Sequence, residues 1–585
     1  MTATPAPSDE LAGPQDVPNV RSPSPLARIT AWLGPPRNYQ LTRWLILRLL
    51  GFVYLFAFLG IAIQGPPLLG DHGLTPIATY LDRPGVQFWD APSVLFWNSS
   101  DAAIRAWAYA GILLSIAALV GYANTVSLLA LWFIYGSFVR VGQMWFSFGW
   151  EIQILETTLI AALLAHPWDP RPMAPCSPPF VAIVLMRWLA FRIMLGAGLI
   201  KLRGDACWTE LTCLDWHFET QPIPNPLSAW FHHLPHGVHA AGVLGNHVAE
   251  LVLPWLVFGP RIARLIAGIG MLVFQVVLIA SGNLAFLNWL TIIPILACFD
   301  DDFLVRLVPR RWRQRLHLRM SPPPRRDAQQ LLIGFAIAFL VILLWDPVFG
   351  SLSARTEVVI GCALIASFAV IVRWQRHRVA ASGVLDGHQL AAGCFAALVA
   401  IASVPVIANL ASSNQAMNRP YDRLALVNTY GAFGSVGDVR HELIIEGTLD
   451  ADPQTVSWRA YELPCKPGDL ERQPCILGPY HRRLDWLIWF AAMNDEPRTP
   501  WVFHLVWKLL EGDRSIRELL AIDPFDGERP VWVRIRRFVY HLEPPGSLTR
   551  WRRDHEQPWL GPLSLNAPGF REALERRGWP SPSLR

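Results

Sequence analysis

Lysine is almost absent from this chain. Among its 50 Lys and Arg residues only three are Lys, namely Lys201, Lys466 and Lys508. Arg serves wherever a fixed positive charge suffices, a bias typical of the coding composition of a GC-rich bacterium. A retained Lys is therefore a candidate for a role that needs an amine able to lose its proton, which Arg cannot do.

Charged residues are also scarce. They make up 16% of the chain and hydrophobic residues 52%, whereas soluble domains carry roughly 25% charged residues. This balance excludes an ordinary soluble protein over most of the 585 residues and predicts a membrane protein. The formal net charge of +5 is small for this length and indicates no nucleic-acid partner.

Two further signals are missing. Residues 1–38 contain no long apolar run, so they are predicted to form a disordered cytoplasmic tail and not a cleaved signal peptide. The eight Cys residues show no spacing typical of a zinc or iron–sulfur site, and no metal is predicted.

Long apolar segments are what the chain does contain. A helix that crosses a bilayer needs about 20 mostly apolar residues. Residues 39–411 are therefore predicted to form an α-helical polytopic membrane domain. Its spans, about eleven in number, are 43–63, 105–121, 125–146, 150–165, 180–200, 237–258, 263–281, 283–299, 329–346, 356–372 and 388–410.

The distribution of Arg predicts the orientation. Segment 300–328 carries eight Arg and segment 373–378 three, so both are predicted to be cytoplasmic. The N-terminus is then cytoplasmic, and the outer loop 201–236 and everything after residue 411 lie outside, in a bacterial cytoplasmic (inner) membrane. This orientation places both close pairs, Cys207 with Cys213 and Cys465 with Cys475, where disulfides persist. The alternative is that these Cys residues are free thiols.

The composition changes after residue 411. Strand-like runs occur at 423–430, 441–448, 456–463 and 530–541, and residues 500–521 are typical of a helix. Residues 412–585 are therefore predicted to form an extracytoplasmic β-rich domain, sandwich-like, with a helical insertion.

Among the ionisable residues within the predicted spans, six are candidates for intramembrane polar contacts: Glu151, Glu156, Arg187, Arg192, His247 and Glu250. Ionisable groups are costly in lipid, so they are expected to face the bundle interior in pairs. We predict that Glu151 and Glu156 pair with Arg187 and Arg192, and that His247 and Glu250, three residues apart, share one helical face. The set is interpreted either as structural ion pairs or as a polar cavity or proton path.

The outer loop 201–236 is rich in aromatic residues and in Pro. It is interpreted either as a lid that folds back over the helix ends or as an ordinary interfacial loop with an aromatic belt. The run GAGLIKLRGDACWTELTCLDWHFETQPIPNPLSAWFHHLP resembles the signature of the lipase maturation factor family. FGWEIQILET, GNLAFLNWLTIIPILACFDD, LVNTYGAFGSVGDVRHELIIEGT and PYHRRLDWLIWFAAM are similar to other blocks of that family.

The resemblance implies a membrane protein that helps secreted lipases reach their assembled state, with membrane lipids and a secreted client, such as a lipase, as partners and with no cofactor. Eukaryotic members lie in the endoplasmic reticulum membrane with the C-terminal domain in the lumen. Exposed aromatic and Arg residues are favoured at interfaces. The predicted client contacts are Trp208, Trp216, His217, Phe218, Trp230, Tyr480, His481, Arg483, Asp485 and Trp486. In the alternative interpretation of RRLDW, a buried Arg–Asp pair holds the sandwich together.

GAGLIKLRGDACW also resembles, more distantly, a stretch of the vitamin K-dependent γ-glutamyl carboxylases and their horizontally transferred bacterial relatives, in which a Lys acts as a base. The resemblance implies Lys201 and Asp205 as candidate catalytic residues of a membrane enzyme with a quinone-like or lipid substrate. The alternative for Lys201 is an anchor at the helix end. No counterpart of the carboxylase's catalytic His is evident, so that activity is not carried over. Disulfide exchange by Cys207 and Cys213 ranks below both hypotheses because the spacing is not C-x-x-C.

Overall fold

The computed structural model describes residues 38–579 apart from 89–90, 175–177, 310, 312–386, 423, 455–456 and 495–497. The predicted cytoplasmic tail, the predicted spans 329–346 and 356–372, most of the Arg-rich segments and two of the isolated Cys residues, Cys176 and Cys362, lie outside the described residues.

The first part of the described chain is helical. Local signals set several boundaries: Ser100 caps the helix that starts at Asp101, and Gly121, with a φ of 118°, ends it in a conformation that favours glycine. A capping box of Asn124 and Ser127 starts the next helix. The helices are α1 (Gln40–Leu69), α2 (Ile77–Leu81), α3 (Asp101–Val120), α4 (Thr125–Val141), α5 (Gly149–Leu164), α6 (Phe180–Gly204), α7 (Ala206–Thr209), α8 (Leu214–Thr220), α9 (Ser228–His232), α10 (His236–His247), α11 (Leu253–Leu256), α12 (Arg261–Ser281), α13 (Leu287–Ile295), α14 (Asp301–Leu307) and α15 (Gly387–Ala411).

Among the described residues, five helices are long and apolar enough to cross a membrane: α1, α3, α6, α12 and the part of α15 from Ala391 to Ala411. The predicted spans 125–146, 150–165 and 283–299 coincide with the shorter helices α4, α5 and α13. The predicted span 237–258 corresponds to one continuous helical stretch, in which a π-helical turn, Val248–Val252, joins α10 to α11. The count of eleven spans therefore stays a prediction.

The C-terminal part contains one small antiparallel sheet. Its strands are β1 (Arg440–Thr448), β2 (Arg459–Tyr461), β3 (Trp532–Leu542) and β4 (Trp551–Leu563), in the order β2–β1–β3–β4. In the register, Ile445 lies opposite Ile535 and Glu442 opposite Phe538. The helices are α16 (Arg483–Ala492), α17 (Trp501–Leu510), α18 (Arg514–Arg517) and α19 (Phe570–Glu575).

The predicted sandwich is wrong for the described residues, because helices and not a second sheet cover the apolar face. Helix α16 packs against β1 and α17 against β3, so Leu443, Ile445 and Val533 join one buried cluster with both helices. The predicted strand 423–430 is also wrong: it forms only an isolated bridge between Pro420 and Asn428. Strand β4 was not predicted because most of its side chains are polar and exposed.

The opposite face of the sheet contains buried charges. Lys466 Nζ lies 2.8 Å from Glu442 Oε2, and the Arg440 guanidinium pairs with the same carboxylate. Tyr540 and Trp551 pack beside them in a separate apolar cluster. Ala229 of α9 packs against this cluster, so the outer loop 201–236 contacts the sheet through this face.

Candidate functional site

The outer loop 201–236 is docked on the C-terminal part of the chain. Both predicted disulfides, Cys207–Cys213 in the loop and Cys465–Cys475 beyond it, are formed. Trp208 Nε1 donates to the Phe433 carbonyl oxygen over 2.9 Å, and Trp216 Nε1 donates to that of Val436 over 3.3 Å.

Arg440 makes the most extensive contact with this loop. Its guanidinium donates to the backbone carbonyl oxygens of Glu219, Gln221 and Pro222. We call this set of hydrogen bonds the loop joint. The Glu219 carboxylate adds a bond from the Leu542 backbone N–H, 2.6 Å long, which ties the loop to the end of β3.

Two carboxylates of α5 connect the helical part to the C-terminal part, and we call these contacts the bundle joint. Glu156 pairs with Arg192, as predicted, and also accepts from the Tyr430 hydroxyl over 2.7 Å and from the Asn428 side chain over 2.9 Å. Glu151 pairs with Arg483 of α16 at 2.8 Å. All of these groups are buried. Burial of one charge without its partner is costly, so each of these ion pairs stabilises the protein only while both of its members are present.

The rest of the predicted pairing is wrong. Arg187 donates to the Ala297 carbonyl oxygen over 2.9 Å and to the Tyr39 hydroxyl over 2.8 Å, and it does not reach Glu151. Sequence reasoning missed the partner of Glu151 because Arg483 lies 332 positions away.

Lys201 lies at the centre of a buried polar group. Its Nζ is 2.7 Å from both carboxylate oxygens of Glu250 and 2.8 Å from Asn246 Oδ1, and it lies 4.9 Å from the centre of the Trp208 ring. His247 Nε2 contacts the Trp208 carbonyl oxygen at 3.0 Å. Lys201 is 4% exposed, so the helix end that carries it is enclosed by protein, and the alternative in which Lys201 anchors the helix end at the membrane surface is not observed.

Asp205, the other candidate catalytic residue, caps the short helix α7. Its carboxylate accepts from the backbone N–H of Cys207 over 3.1 Å and from that of Val436 over 3.3 Å. These two bonds hold the disulfide turn against the C-terminal part. The contacts of Lys201 and Asp205 are those of structural residues, and a catalytic role for either stays a prediction.

Most of the predicted client contacts are enclosed. The exposure that this prediction assumed is wrong for Trp208, His217, Phe218, His481, Arg483, Asp485 and Trp486, all of which are buried. Trp216 and Tyr480 are half-buried, and Trp230 is 64% exposed.

The structure also explains the RRLDW segment differently. Arg483 pairs with Glu151 and not with Asp485, so the alternative interpretation, a buried pair of these two residues, is wrong. Asp485 accepts from the backbone N–H of Cys465 over 2.7 Å and from that of Lys466 over 2.9 Å, which ties the second disulfide to α16. His481 is enclosed by the rings of Phe148, Trp150 and Trp486. Burial, aided by the charge of Arg483, holds the pKa of His481 well below its ordinary value.

A cavity of about 1190 Å³ lies where these elements meet. Its walls are formed by the start of α5, by α6, α10, α12 and α13, by the outer loop, by residues 430–435 and by α16. The lining is mainly apolar and aromatic, as in most ligand sites. Six of the predicted site residues line it, namely Lys201, Trp208, His217, Phe218, Glu250 and Trp486. Sequence reasoning missed Trp150, Asn288, Trp489 and Phe490, although all four lie in the blocks that carry the family resemblance.

The architecture defines a class of membrane protein: a helical bundle with an apolar cavity, closed on one side by a disulfide-linked loop and by helix α16 of the C-terminal part. The family model described as "Lipase maturation factor transmembrane domain" matches residues 41–306, and the one described as "Lipase maturation factor C-terminal domain" matches residues 426–560. The chain belongs to the lipase maturation factor family.

Individual relatives match almost from end to end. The chain is 39% identical to "Lipase maturation factor 1" of Mus musculus over 578 residues, covering 93% of this chain and 90% of the relative. It is 41% identical to the Bos taurus protein of the same name over 567 residues, which cover 93% and 92% of the two chains. "Lipase maturation factor 2" of Homo sapiens is 29% identical over 605 residues, covering 92% and 85%. No solved structure matches.

Proposed function

We propose that this chain is a membrane-embedded maturation factor that assists the folding or assembly of secreted client proteins, among them lipases. The observation that carries the proposal is the end-to-end similarity to relatives named for lipase maturation, 39% and 41% identical over 93% of the chain. The match includes both the helical part and the sheet, so the proposal covers the activity of the whole protein.

The proposal includes an orientation, with the outer loop and the sheet on the non-cytoplasmic side of a bacterial cytoplasmic membrane. Two observations support it. The loop joint requires that both parts lie on one side of the membrane, and both disulfides belong to these parts. A test is labelling of spheroplasts by a maleimide that does not cross membranes. Leu548→Cys, at a fully exposed position, should react, and Trp168→Cys, in the loop between α5 and α6, should not.

Of the predicted client contacts, Trp230 has the most exposed side chain. Its side chain is 64% exposed on α9, whereas its neighbour Ala229 is fixed against the sheet. Exposed Trp residues are frequent anchors of protein interfaces. A client that docks on the outer loop would therefore contact Trp230 without displacing buried residues.

Complementation tests this function. In cells that lack their own lipase maturation factor 1, the chain should restore the activity of a co-expressed secreted lipase. Trp230→Ala should lower that activity severalfold without changing the thermal stability of the purified protein. Trp168→Ala is the matched control, because Trp168 is 76% exposed in a loop that the predicted topology assigns to the opposite side. Loss of lipase activity that is equal in both variants, or in neither, would contradict the contact. Failure of the unaltered chain with every lipase tested would refute the proposal.

A further inference from the structure

The cavity opens beside the outer loop. Four large apolar side chains of its lining are themselves exposed, namely Leu234, Val238, Met417 and Phe490. They belong to the outer loop, to the first turn of α10 that follows it and to the C-terminal part, which are proposed to lie on the non-cytoplasmic side. Phe231, the neighbour of the proposed client contact Trp230, also lines the cavity. The opening is therefore continuous with the proposed client surface, and exposed apolar side chains grouped around one opening are typical of an interaction site.

The lining also contains polar atoms that are accessible and have no partner among the described residues. His217 is 7% exposed, yet both of its ring nitrogens retain accessible surface and form no hydrogen bond. The amide oxygens of Gln153 and Gln275 are likewise accessible and unbonded, although these two side chains are only 1% and 4% exposed. Because polar groups in such enclosed places are rarely left without partners, these three side chains indicate a ligand that forms hydrogen bonds with them.

The positions of these side chains limit what the ligand is. His217 lies on α8, Gln153 on α5 and Gln275 on α12, so the accessible polar atoms belong to three different walls. A bilayer lipid carries its polar atoms at one end, whereas a polypeptide carries an N–H and a carbonyl group at almost every residue. The volume of about 1190 Å³ also exceeds the roughly 300–1,000 Å³ of most small-molecule sites. Spaced polar atoms in a large apolar cavity therefore favour a stretch of polypeptide.

The charges of the described lining limit the composition of that stretch. Lys201 is paired with Glu250, and His239 Nδ1 contacts the Asp215 carboxylate at 2.8 Å. Burial, together with the nearby charge of Lys201, lowers the pKa of His217 to about 4, so its ring is neutral near pH 7. No charge of the described lining is left to pair with a charged ligand, and burial of an unpaired charge is costly. The side chains of the bound segment are therefore apolar or uncharged.

We propose that the cavity binds an apolar, uncharged segment of the client's polypeptide chain while the client is incompletely folded. Backbone N–H groups of the segment donate to the amide oxygens of Gln153 and Gln275, and His217 bonds to a further backbone group. Such a segment becomes buried when the client folds, so folding itself withdraws it from the cavity. This inference rests on the proposed maturation function and specifies which part of the client is held, and in which state.

Photo-crosslinking of the full chain in the complementation cells tests the site. Val238→p-benzoylphenylalanine places a photoreactive group at the opening of the cavity. Leu244→p-benzoylphenylalanine is the matched control, because Leu244 lies on the same helix and is 52% exposed but does not line the cavity. Both variants must first restore lipase activity, so that failure of the cross-link is distinguished from failure of the maturation function. We expect an adduct with the co-expressed secreted lipase, formed from position 238 at several times the yield from position 244.

Mass spectrometry of the adduct should locate the cross-link in a lipase segment that contains no Asp, Glu, Lys or Arg. Equal yields from the two positions, no adduct, or an adduct on a charged segment would overturn the proposal. So would transfer of the photoreactive group to a bilayer lipid, or to residues 312–386 of this chain, in place of the lipase. In each of these cases the maturation function would stand, because the same cells have restored lipase activity.

Variants in the position-238 background connect the binding to the accessible polar atoms. Gln153→Leu with Gln275→Leu removes both amide oxygens and keeps most of the side-chain volume, and the yield of the lipase adduct should fall about fivefold. Ser281→Ala is the matched control: Ser281 lies on α12 and lines the same cavity, but its hydroxyl already donates to the Leu278 carbonyl oxygen over 3.3 Å. Each variant is first compared with its parent in thermal unfolding. A folded double variant that cross-links as strongly as Ser281→Ala would overturn the assignment.

Discussion

The bundle joint and the loop joint fasten the same C-terminal part to the same helical part by opposite means. The bundle joint consists of ion pairs between charged side chains, Glu151 with Arg483 and Glu156 with Arg192, and these side chains are buried. The loop joint directs one guanidinium, that of Arg440, at neutral carbonyl oxygens, while its charge is balanced by Glu442 within the sheet. Loss of one partner in the bundle joint therefore leaves a buried charge without its counterion. Loss of Arg440 from the loop joint leaves only neutral carbonyl oxygens without a hydrogen bond.

Arg483→Met should have the largest effect on stability. It leaves the Glu151 carboxylate buried without its cation, and removal of one partner from a buried ion pair costs about 3–5 kcal/mol. The measurement is thermal and denaturant unfolding of the purified protein in detergent. The double variant Glu151→Gln with Arg483→Met removes both charges and should recover a large part of the loss. If the double variant were as unstable as the sum of the single ones, the two side chains would not be coupled.

Arg440→Met should have a smaller effect, about 2–3 kcal/mol, because the charge of Glu442 is still matched by Lys466 and the loss lies mainly in hydrogen bonds to carbonyl oxygens. The loop should also become more accessible, so limited proteolysis within residues 201–236 should accelerate. Arg537→Met is the matched control, since Arg537 of the same sheet makes only an exposed bond to Gln557. Equal losses of stability in the two Arg variants would show that the loop joint contributes nothing specific.

The two joints differ in how far they could be predicted from the sequence. That α5 pairs with α6 follows from two apolar segments of opposite charge, because a charge is not stable alone in lipid. Which Glu pairs with which Arg does not follow from the sequence. The pairing of Glu151 with Arg483 and the contacts of Arg440 depend on how segments hundreds of positions apart dock, which no local pattern encodes. For the same reason α12 was predicted as a span, whereas the cavity that its residues line was not.

Acid should weaken the docking of the outer loop on the C-terminal part, because His217 lies buried in that contact. The His217 ring, in α8, packs edge to face against the Phe433 ring, and the ring centres are 5.1 Å apart. Burial, and then the charge of Lys201, lowers its pKa to about 4, from 6.5 in the unfolded chain. Below pH 6.5 the unfolded chain binds a proton that the folded chain does not bind, so this part of the stability is complete above pH 6.5 and is lost as the pH falls towards 4.

At pH 5 the expected loss from His217 is about 2 kcal/mol. The measurement is the difference in melting temperature between pH 7.5 and pH 5, for the unaltered protein and for His217→Gln. The variant should melt with a smaller shift, because it lacks the group that titrates. His504, whose pKa burial and the nearby charge of Lys508 also lower to about 4, provides the control. His504 lies in α17, outside the outer loop. His504→Gln should therefore reduce the overall acid shift, but it should not reduce the faster proteolysis of residues 201–236 that we expect in acid.

Lys201→Arg should change least. The guanidinium keeps a positive charge and matches both oxygens of the Glu250 carboxylate, which Lys201 Nζ contacts at 2.7 Å. We expect a loss of less than about 1 kcal/mol, owing to the larger side chain, and full restoration of secreted lipase activity in the complementation assay. Lys201→Met is the contrasting variant, because it leaves Glu250 without its cation as Arg483→Met leaves Glu151. If Lys201→Arg folded normally but failed to restore lipase activity, a titratable amine would be required, and the role of Lys201 would be chemical and not that of a buried ion pair.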